Sequence, residues 1–276
     1  MISHDTLIWT AELMREAAEA EIMPWFRKLD DEDIQQKTSS IDLVTQADIM
    51  SEKLMTARIK EHFPDALAVG EEAYADDASI LDGLATAALA FVLDPVDGTF
   101  NFARGVPLFG VMCAIVEHGV ATGGIIYDPV GRNWLYARRG EGAFMRWHDG
   151  STKAIGVAAP AAIGEMGGAS SWYYLQPDLK RMVLRNMENF KTGFGFRCAA
   201  HEYWLAATGG CHFVMYAKLN PWDHLAGSLI HQEAGGYHAR FDGSAYDCTT
   251  RDGGLLLAPD QDSWQRIHDT LFAEAP

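Results

Sequence analysis

Residues 94–99 read Asp-Pro-Val-Asp-Gly-Thr and directly follow the apolar run Leu89-Ala90-Phe91-Val92-Leu93. An apolar run that ends in two acids predicts a buried strand terminating at a polar site. Pro95 has no N–H to give a sheet ladder and is expected to turn Leu93-Asp94 out of the sheet. Gly98 permits a backbone conformation open to few other residues. The amides after it are placed to open a helix, which makes an anion site. Asp94 and Asp97 are thereby crowded together, and they repel each other unless a proton or a cation lies between them. Hard carboxylate oxygens beside free amides suit a magnesium ion that holds a phosphate. The same string is also an ordinary way to leave a strand, so a metal site needs further carboxylates.

Three other segments supply them. Gly70-Glu71-Glu72 follows the short apolar run Ala66-Leu67-Ala68-Val69. Asp42-Leu43-Val44-Thr45-Gln46-Ala47-Asp48 lies upstream, and Pro221-Trp222-Asp223-His224-Leu225-Ala226-Gly227 lies far downstream. Taken singly, Gly70-Glu71-Glu72 fits a solvated loop, and Asp223 fits a helix N-cap. In this order and spacing they resemble the inositol monophosphatase family of magnesium-dependent, lithium-sensitive phosphatases. The resemblance runs from about Lys37 to Glu233-Ala234-Gly235-Gly236. It is carried above all by Asp94 to Phe102 and by Trp222 to Gly227.

Composition fits an enzyme. A chain of 276 residues buries a large core, and 48% apolar residues exclude disorder. No apolar run is long enough to span a membrane, and the N-terminus lacks a basic flank before an apolar block. Cys113, Cys198, Cys211 and Cys248 have no metal-type spacing, as expected of reduced thiols in a cytoplasmic protein. The net charge of −16, from 38 acids against 22 bases, argues against a nucleic-acid partner. It also repels a phosphorylated substrate, a problem that clustered divalent cations solve by inverting the local sign.

The hydrophobic pattern predicts α+β or α/β organisation. A helix is expected over residues 5–28, with Pro24 disturbing its last turn, and a second from Asp48 to before Pro64. An antiparallel meander is expected over 106–146. Beyond it, strands and helices alternate, with strands at Gly167–Ser171, His212–Tyr216 and Gly254–Ala258. A soft boundary at Asp149-Gly150-Ser151 divides the chain into lobes 1–150 and 151–276. The resemblance implies a layered αβαβα sandwich.

It also implies roles. Glu71, Asp94 and the Val96 carbonyl would hold one magnesium ion. Asp94, Asp97 and Asp223 would hold a second, with two or three ions per site. Thr99, supported by Asp48, would orient and deprotonate the attacking water, while the Gly98 and Thr99 amides would hold phosphate. Lys37 matches a lysine on a loop near the metals, and Glu72 would support Glu71 or be structural. Ser170 aligns with a serine of the substrate side. The animal inositol enzymes carry a glutamate that brackets sugar hydroxyls seven residues before the second-lobe aspartate. Here that residue is Tyr216, which offers one hydroxyl. The substrate is therefore a small phosphorylated metabolite whose alcohol half stays open: an inositol phosphate, fructose 1,6-bisphosphate, histidinol phosphate or 3'-phosphoadenosine 5'-phosphate. His201-Glu202 is expected to be structural or at the pocket rim, and His224 and His231 to share a helix face as packed residues. The family is commonly dimeric, with Trp134, Tyr136 and Phe144 offering either a homodimer surface or part of the sheet's own core.

Overall fold

The computed structural model describes residues 2–39 and 42–274. Helix α1 (His4–Ala17) starts at Ser3, whose hydroxyl accepts from the Thr6 amide at 3.0 Å. It ends in one π-helical turn, Ala18–Ile22, closed by the Met23 amide on the Ala18 carbonyl. Pro24 brings no N–H to extend it, so the helix stops at Ile22 and residues 23–28 form turns. A hairpin of β1 (Ile34–Ser39) and β2 (Asp42–Thr45) leads into α2 (Gln46–His62). Asp48 fixes the start of α2 by accepting both the Thr45 amide (2.9 Å) and hydroxyl (2.6 Å).

A seven-stranded sheet follows, in the spatial order β3 (Leu67–Gly70), β4 (Ala90–Asp97), β5 (Gly110–Glu117), β6 (Val120–Asp128), β7 (Asn133–Arg138), β8 (Ala143–Trp147) and β9 (Thr152–Ala154). Only β3 and β4 run parallel. Short helices α3 (Glu71–Asp76) and α4 (Thr99–Ala103) leave their two ends. The second sheet has five strands in the order β11 (Thr192–Phe194), β10 (Gly167–Ser170), β12 (Phe213–Tyr216), β14 (Leu255–Ala258) and β13 (Tyr237–Arg240). Helices α5 (Pro177–Asn186), α6 (Ala199–Ala207), α7 (Pro221–Glu233) and α8 (Gln261–Leu271) complete the chain.

Strand side chains alternate between faces, and this alternation builds the layers. Phe91 and Leu93 of β4 pack with Leu7, Met14 and Met55 of α1 and α2. Val92, between them, packs with Tyr203 of α6, Ala226 of α7 and Val214 of β12. Phe213 and Met215 face the other way, onto Val183 of α5 and Ile267 of α8. The order is α1/α2, seven-stranded sheet, α6/α7, five-stranded sheet, α5/α8, the αβαβα sandwich expected. Both sheets are covered on both faces, which is why β4 and β5 read as unbroken apolar runs. Each fully buried Phe or Leu contributes roughly 1.5–3 kcal/mol.

One expectation is corrected and one open alternative is decided. Pro95 does not take the chain out of the sheet: β4 continues through it to Asp97. Pairing with β3 ends at Leu93, and the β5 register shifts between Asp94 and Asp97. Pro95 therefore lies in an irregularity where the ladder asks no donor of it. The aromatics offered for a dimer face belong to the chain's own core. Trp134 and Tyr136 are buried with α1, and the Trp134 indole donates to the Ala11 carbonyl at 3.0 Å. Phe144 stacks on Tyr136 at 5.7 Å. Strands β9, β11 and β13 and the β1–β2 hairpin are additional. They are short and partly polar, and carry little periodic signal.

Helix α7 lies against the first sheet at Gly124 of β6, where a Cβ would stand 2.6 Å from the Ala226 carbonyl oxygen. Gly124→Ala should push α7 away and lower stability by about 1–3 kcal/mol, read as a lower midpoint in urea unfolding. An unchanged midpoint would contradict this packing.

Candidate active site

Parallel pairing puts the carboxyl ends of β3 and β4 side by side. Glu71 opens α3 at the first, and Asp94 and Asp97 close the second. Asp223 comes from the first turn of α7, whose cap is Asn220 with Pro221 in the first turn. The Asn220 side-chain amide donates to Asp223 Oδ2 at 3.1 Å. One oxygen from each of Glu71, Asp94 and Asp223 lies within 4.8 Å of the others. Residues separated by more than 150 positions thus converge on a single point.

The turn that aims Glu71 depends on a residue that the motifs do not include. Glu52 of α2, 5% exposed, accepts the Glu72 and Ala73 amides at 2.8 Å each. It caps α3 from outside. A Cβ on Gly70 would lie 2.1 Å from its carboxyl carbon, so Gly70 is where the chain must pass closely. The sequence signal for Glu52 is its place four residues after Asp48, on the same inward face of α2.

Electrostatics make the cluster costly without a cation. Burial, then Glu71, Asp97 and Asp223, hold the Asp94 carboxyl well above the usual carboxylate range. Burial, with Glu71 and Asp97, pushes Asp223 up to about 8. The Asp97 carboxyl is raised by burial, against the hydrogen bonds it accepts. Lys37 answers part of this charge. Its Nζ lies 2.9 Å from Glu71 Oε1 and 2.6 Å from Glu72 Oε1. Burial works against the ammonium, but the two glutamates outweigh it and raise its pKa. Glu72 is pushed up to about 8, by burial and then by Glu71.

Asp97 lines the cavity but stands outside the three-acid group. Its Oδ2 accepts the Ala200 amide at 2.6 Å and the Cys198 thiol at 3.0 Å, so one oxygen is held by the start of α6. Gly98 has φ 84°, the left-handed conformation its sequence position suggested, and leads into Thr99 at the start of α4. The Thr99 hydroxyl is 3.0 Å from both Asp48 Oδ1 and the Val96 carbonyl and has one proton to share between them. Burial, opposed by the Thr45 hydrogen bonds, brings the Asp48 carboxyl up to about 6.

Glu71, Asp94, Val96, Asp97, Thr99 and Asp223 line a cavity of about 130 Å³. Its other wall contains Ser171, Tyr173, Arg197, Glu202, Tyr216 and Lys218. Tyr216 is buried in that wall. It stacks on Tyr203 at 5.1 Å, lies 4.5 Å from His224, and its hydroxyl donates to the Ala199 carbonyl at 3.4 Å. Ser170 does not reach the cavity. It pairs with Met215 on β12, whose side chain packs with the outer helices. Ser171, one residue on, is in the lining, with its hydroxyl accepting the Ala217 amide at 2.9 Å. Lys37 and Asp48 sit behind Glu71 and Thr99 rather than in the lining. Glu202 does line it, with burial pushing its carboxyl up to about 7. His201 instead bonds the Phe109 carbonyl at 3.1 Å. His224 and His231 are both buried on α7, and burial drops their imidazoles to about 4 and about 3, so both are neutral packed groups.

The family model for the inositol monophosphatase family matches residues 5–275. A Thermotoga maritima fructose-1,6-bisphosphatase/inositol-1-monophosphatase is 29% identical over 87% of this chain and 86% of its own length. A Bacillus subtilis inositol-1-monophosphatase is 30% identical over 87% and 86%, and human inositol monophosphatase 1 is 31% identical over 78% and 77%. Among solved structures, a Thermotoga maritima IMPase superposes with a TM-score of 0.81 at 24% identity, covering 97% of this chain and 96% of that one. A match over nearly the whole length, on a fold whose carboxylates converge as described, has one meaning: the chain belongs to the inositol monophosphatase family of metal-dependent phosphatases, which hydrolyse phosphate monoesters.

Proposed function

We propose that the protein hydrolyses a small phosphorylated metabolite with two or three magnesium ions bound at the acid cluster. The observation that carries this is the meeting of Glu71, Asp94 and Asp223 in one cavity with Thr99, whose hydroxyl is backed by Asp48. The donor set fits the ion, because all three side chains are hard oxygen ligands and their crowding calls for positive charge. Glu71, Asp94 and the Val96 carbonyl would hold one ion, and Asp94, Asp97 through its remaining oxygen, and Asp223 a second. When bound, such ions activate water and neutralise charge on the phosphoryl group and leaving oxygen.

The protein groups do the rest. Asp48, near neutrality in its titration, accepts the Thr99 proton. The Thr99 oxygen is then free to take a proton from the attacking water. Gly98 and Thr99 amides hold phosphate oxygens, and Lys37 keeps Glu71 oriented. Tyr216 replaces a diol-bracketing carboxylate with an aromatic ring that suits flatter or less hydroxylated alcohols. Inositol phosphate is then a weak substrate beside another ester such as fructose 1,6-bisphosphate, histidinol phosphate or 3'-phosphoadenosine 5'-phosphate. Lithium inhibition is expected from the family.

Among the described residues no helix is long and apolar enough to cross a membrane, and all four cysteines are buried and unpaired. Both facts support a cytoplasmic enzyme. The division into lobes 1–150 and 151–276 is supported by the separate chain ranges of the two sheets, 67–154 and 167–258. A homodimer is expected from the family, and light scattering should return twice the chain mass at micromolar concentration; a monomer would dispose of it.

Phosphate release from a panel of these esters should require magnesium and vanish with a chelator. Asp94→Asn should cost about a hundredfold or more in rate while folding normally, because it relieves repulsion in the metal-free site. Near-normal turnover by this variant at low magnesium would overturn the site.

The acid cluster also sets a pH dependence. Unfolded carboxylates titrate near about 4, whereas Asp223 and Glu72 are both raised to about 8 in the fold. Their contribution to stability is complete below about pH 4 and is lost as pH rises through about pH 8. Metal-free protein should therefore show a falling Tm from about pH 5 to about pH 9. Magnesium should raise Tm most at the upper end. An equal magnesium effect at both ends would contradict the cluster.

A further inference from the structure

The cavity wall opposite the acids contains a second charge pattern that phosphate-ester cleavage does not require. Arg197 lies between β11 and α6 with φ 55°, a left-handed conformation that a residue with a side chain rarely adopts. Such a conformation persists where the surroundings over-determine it, and here they do. The Phe196 amide donates to Glu202 Oε1, a buried carboxylate, at 2.8 Å. The Phe196 carbonyl accepts the Asn101 side-chain amide at 2.7 Å. On the other side, the Cys198 thiol donates to Asp97. The segment is thus fastened immediately before and after Arg197.

The fastened backbone delivers the guanidinium to one place. Its central carbon lies 3.6 Å from the centroid of the Phe100 ring, next to Thr99, and the residue lines the cavity. A guanidinium lying on a ring is held in orientation while its N–H edge remains available for an in-plane fork to a carboxylate or phosphate. Among the described residues, no carboxylate lies within ion-pair distance of Arg197 or of Lys218, an exposed lysine lining the same cavity. In a chain of net charge −16, a guanidinium facing the cavity with no carboxylate in ion-pair distance is an arrangement for an external anion, and Lys218, whose charge also acts on Asp223, adds positive charge to the same cavity.

We propose that Arg197 determines specificity by binding a second anionic group, a carboxylate or another phosphate, on the alcohol half of the substrate. Lys218 adds charge at the cavity mouth. Glu202 is a positioning residue that holds the backbone just before Arg197. This inference rests on the phosphatase reading of the same site and narrows its substrate to esters with two anionic groups. The balance of charge agrees: the acid cluster with its cations takes the scissile phosphate, and the arginine side offsets the general negative field for the rest of the molecule.

The test measures magnesium-dependent phosphate release from two matched pairs. In the first, glycerol 3-phosphate and 3-phosphoglycerate differ by a carboxylate in place of a hydroxymethyl group. In the second, 3-hydroxypropyl phosphate and propane-1,3-diyl bisphosphate differ by a second phosphate. Wild-type enzyme should have the higher kcat/KM for the doubly anionic member of at least one pair, and the pair with the larger preference identifies the group. Arg197→Gly keeps the left-handed backbone accessible. It should cut the within-pair preference by about tenfold, mainly through KM, the order expected for losing a hydrogen-bonded charge contact. Arg197→Lys should restore part of the preference, and Glu202→Gln should reduce it with the same KM signature. A wild-type enzyme without preference in either pair overturns the inference. Equal losses on both members of a pair also overturn it, because Arg197 then serves the scissile phosphate or the fold. If no ester releases phosphate, the phosphatase reading fails first and this inference falls with it.

Discussion

Mutual repulsion among crowded, partly or wholly buried carboxylates is the constraint around which this protein is organised. Glu71, Asp94 and Asp223 present oxygens within 4.8 Å of one another, with Asp97 alongside. Such groups stay ionised together only when positive charge is placed among them. The fold accepts this unfavourable arrangement and holds it by means that do not involve the acids themselves. Glu52 ties down the start of α3, Asp48 ties down α2, and Asn220 and Pro221 start α7. The hydrophobic layers on both faces of the seven-stranded sheet then fix the three origins relative to one another.

The same construction explains why the cavity has two unlike walls. Its acid wall is built at the ends of β3 and β4 and is closed by the first turn of α7. Its other wall comes from the ends of β10 and β12 and the segment before α6. Asp97 joins the two, with its carboxylate bound by the Ala200 amide and the Cys198 thiol. The two walls are thus tied together through one carboxylate. Glu71, Asp94, Asp97 and Asp223 lie on the acid wall, whereas Lys37 and Asp48 sit behind it. The opposite wall carries Tyr216, Arg197 and Glu202.

Legibility followed the range over which each feature is encoded. The buried strand into Asp94, the glycine turn and the Asp223 helix are local patterns, and the structure has them at those positions. The reach of β4 past Pro95 was not legible, because it depends on which neighbour strand ends first. The burial of Trp134 and Tyr136 depends on where α1 docks. Ser170 and Ser171 differ by one residue, and only the pairing of β10 with β12 decides which faces the cavity. Glu52 carried a signal in its spacing from Asp48, but its partners lie 20 residues away across a turn.

By itself the sequence determined the chemistry available to this protein: which acids it has, the glycine that lets Thr99 follow a tight turn, and the apolar runs that must be covered on both faces. Those are consequences of residue type and short-range spacing. Tertiary structure alone decided that Asp223 meets Glu71, that Lys37 sits between a pair of glutamates, and that Arg197 lies on Phe100 beside the site. Each of these joins segments far apart in the chain. Their distances are set by how helices pack on sheets, a property of the whole hydrophobic core that no local pattern contains.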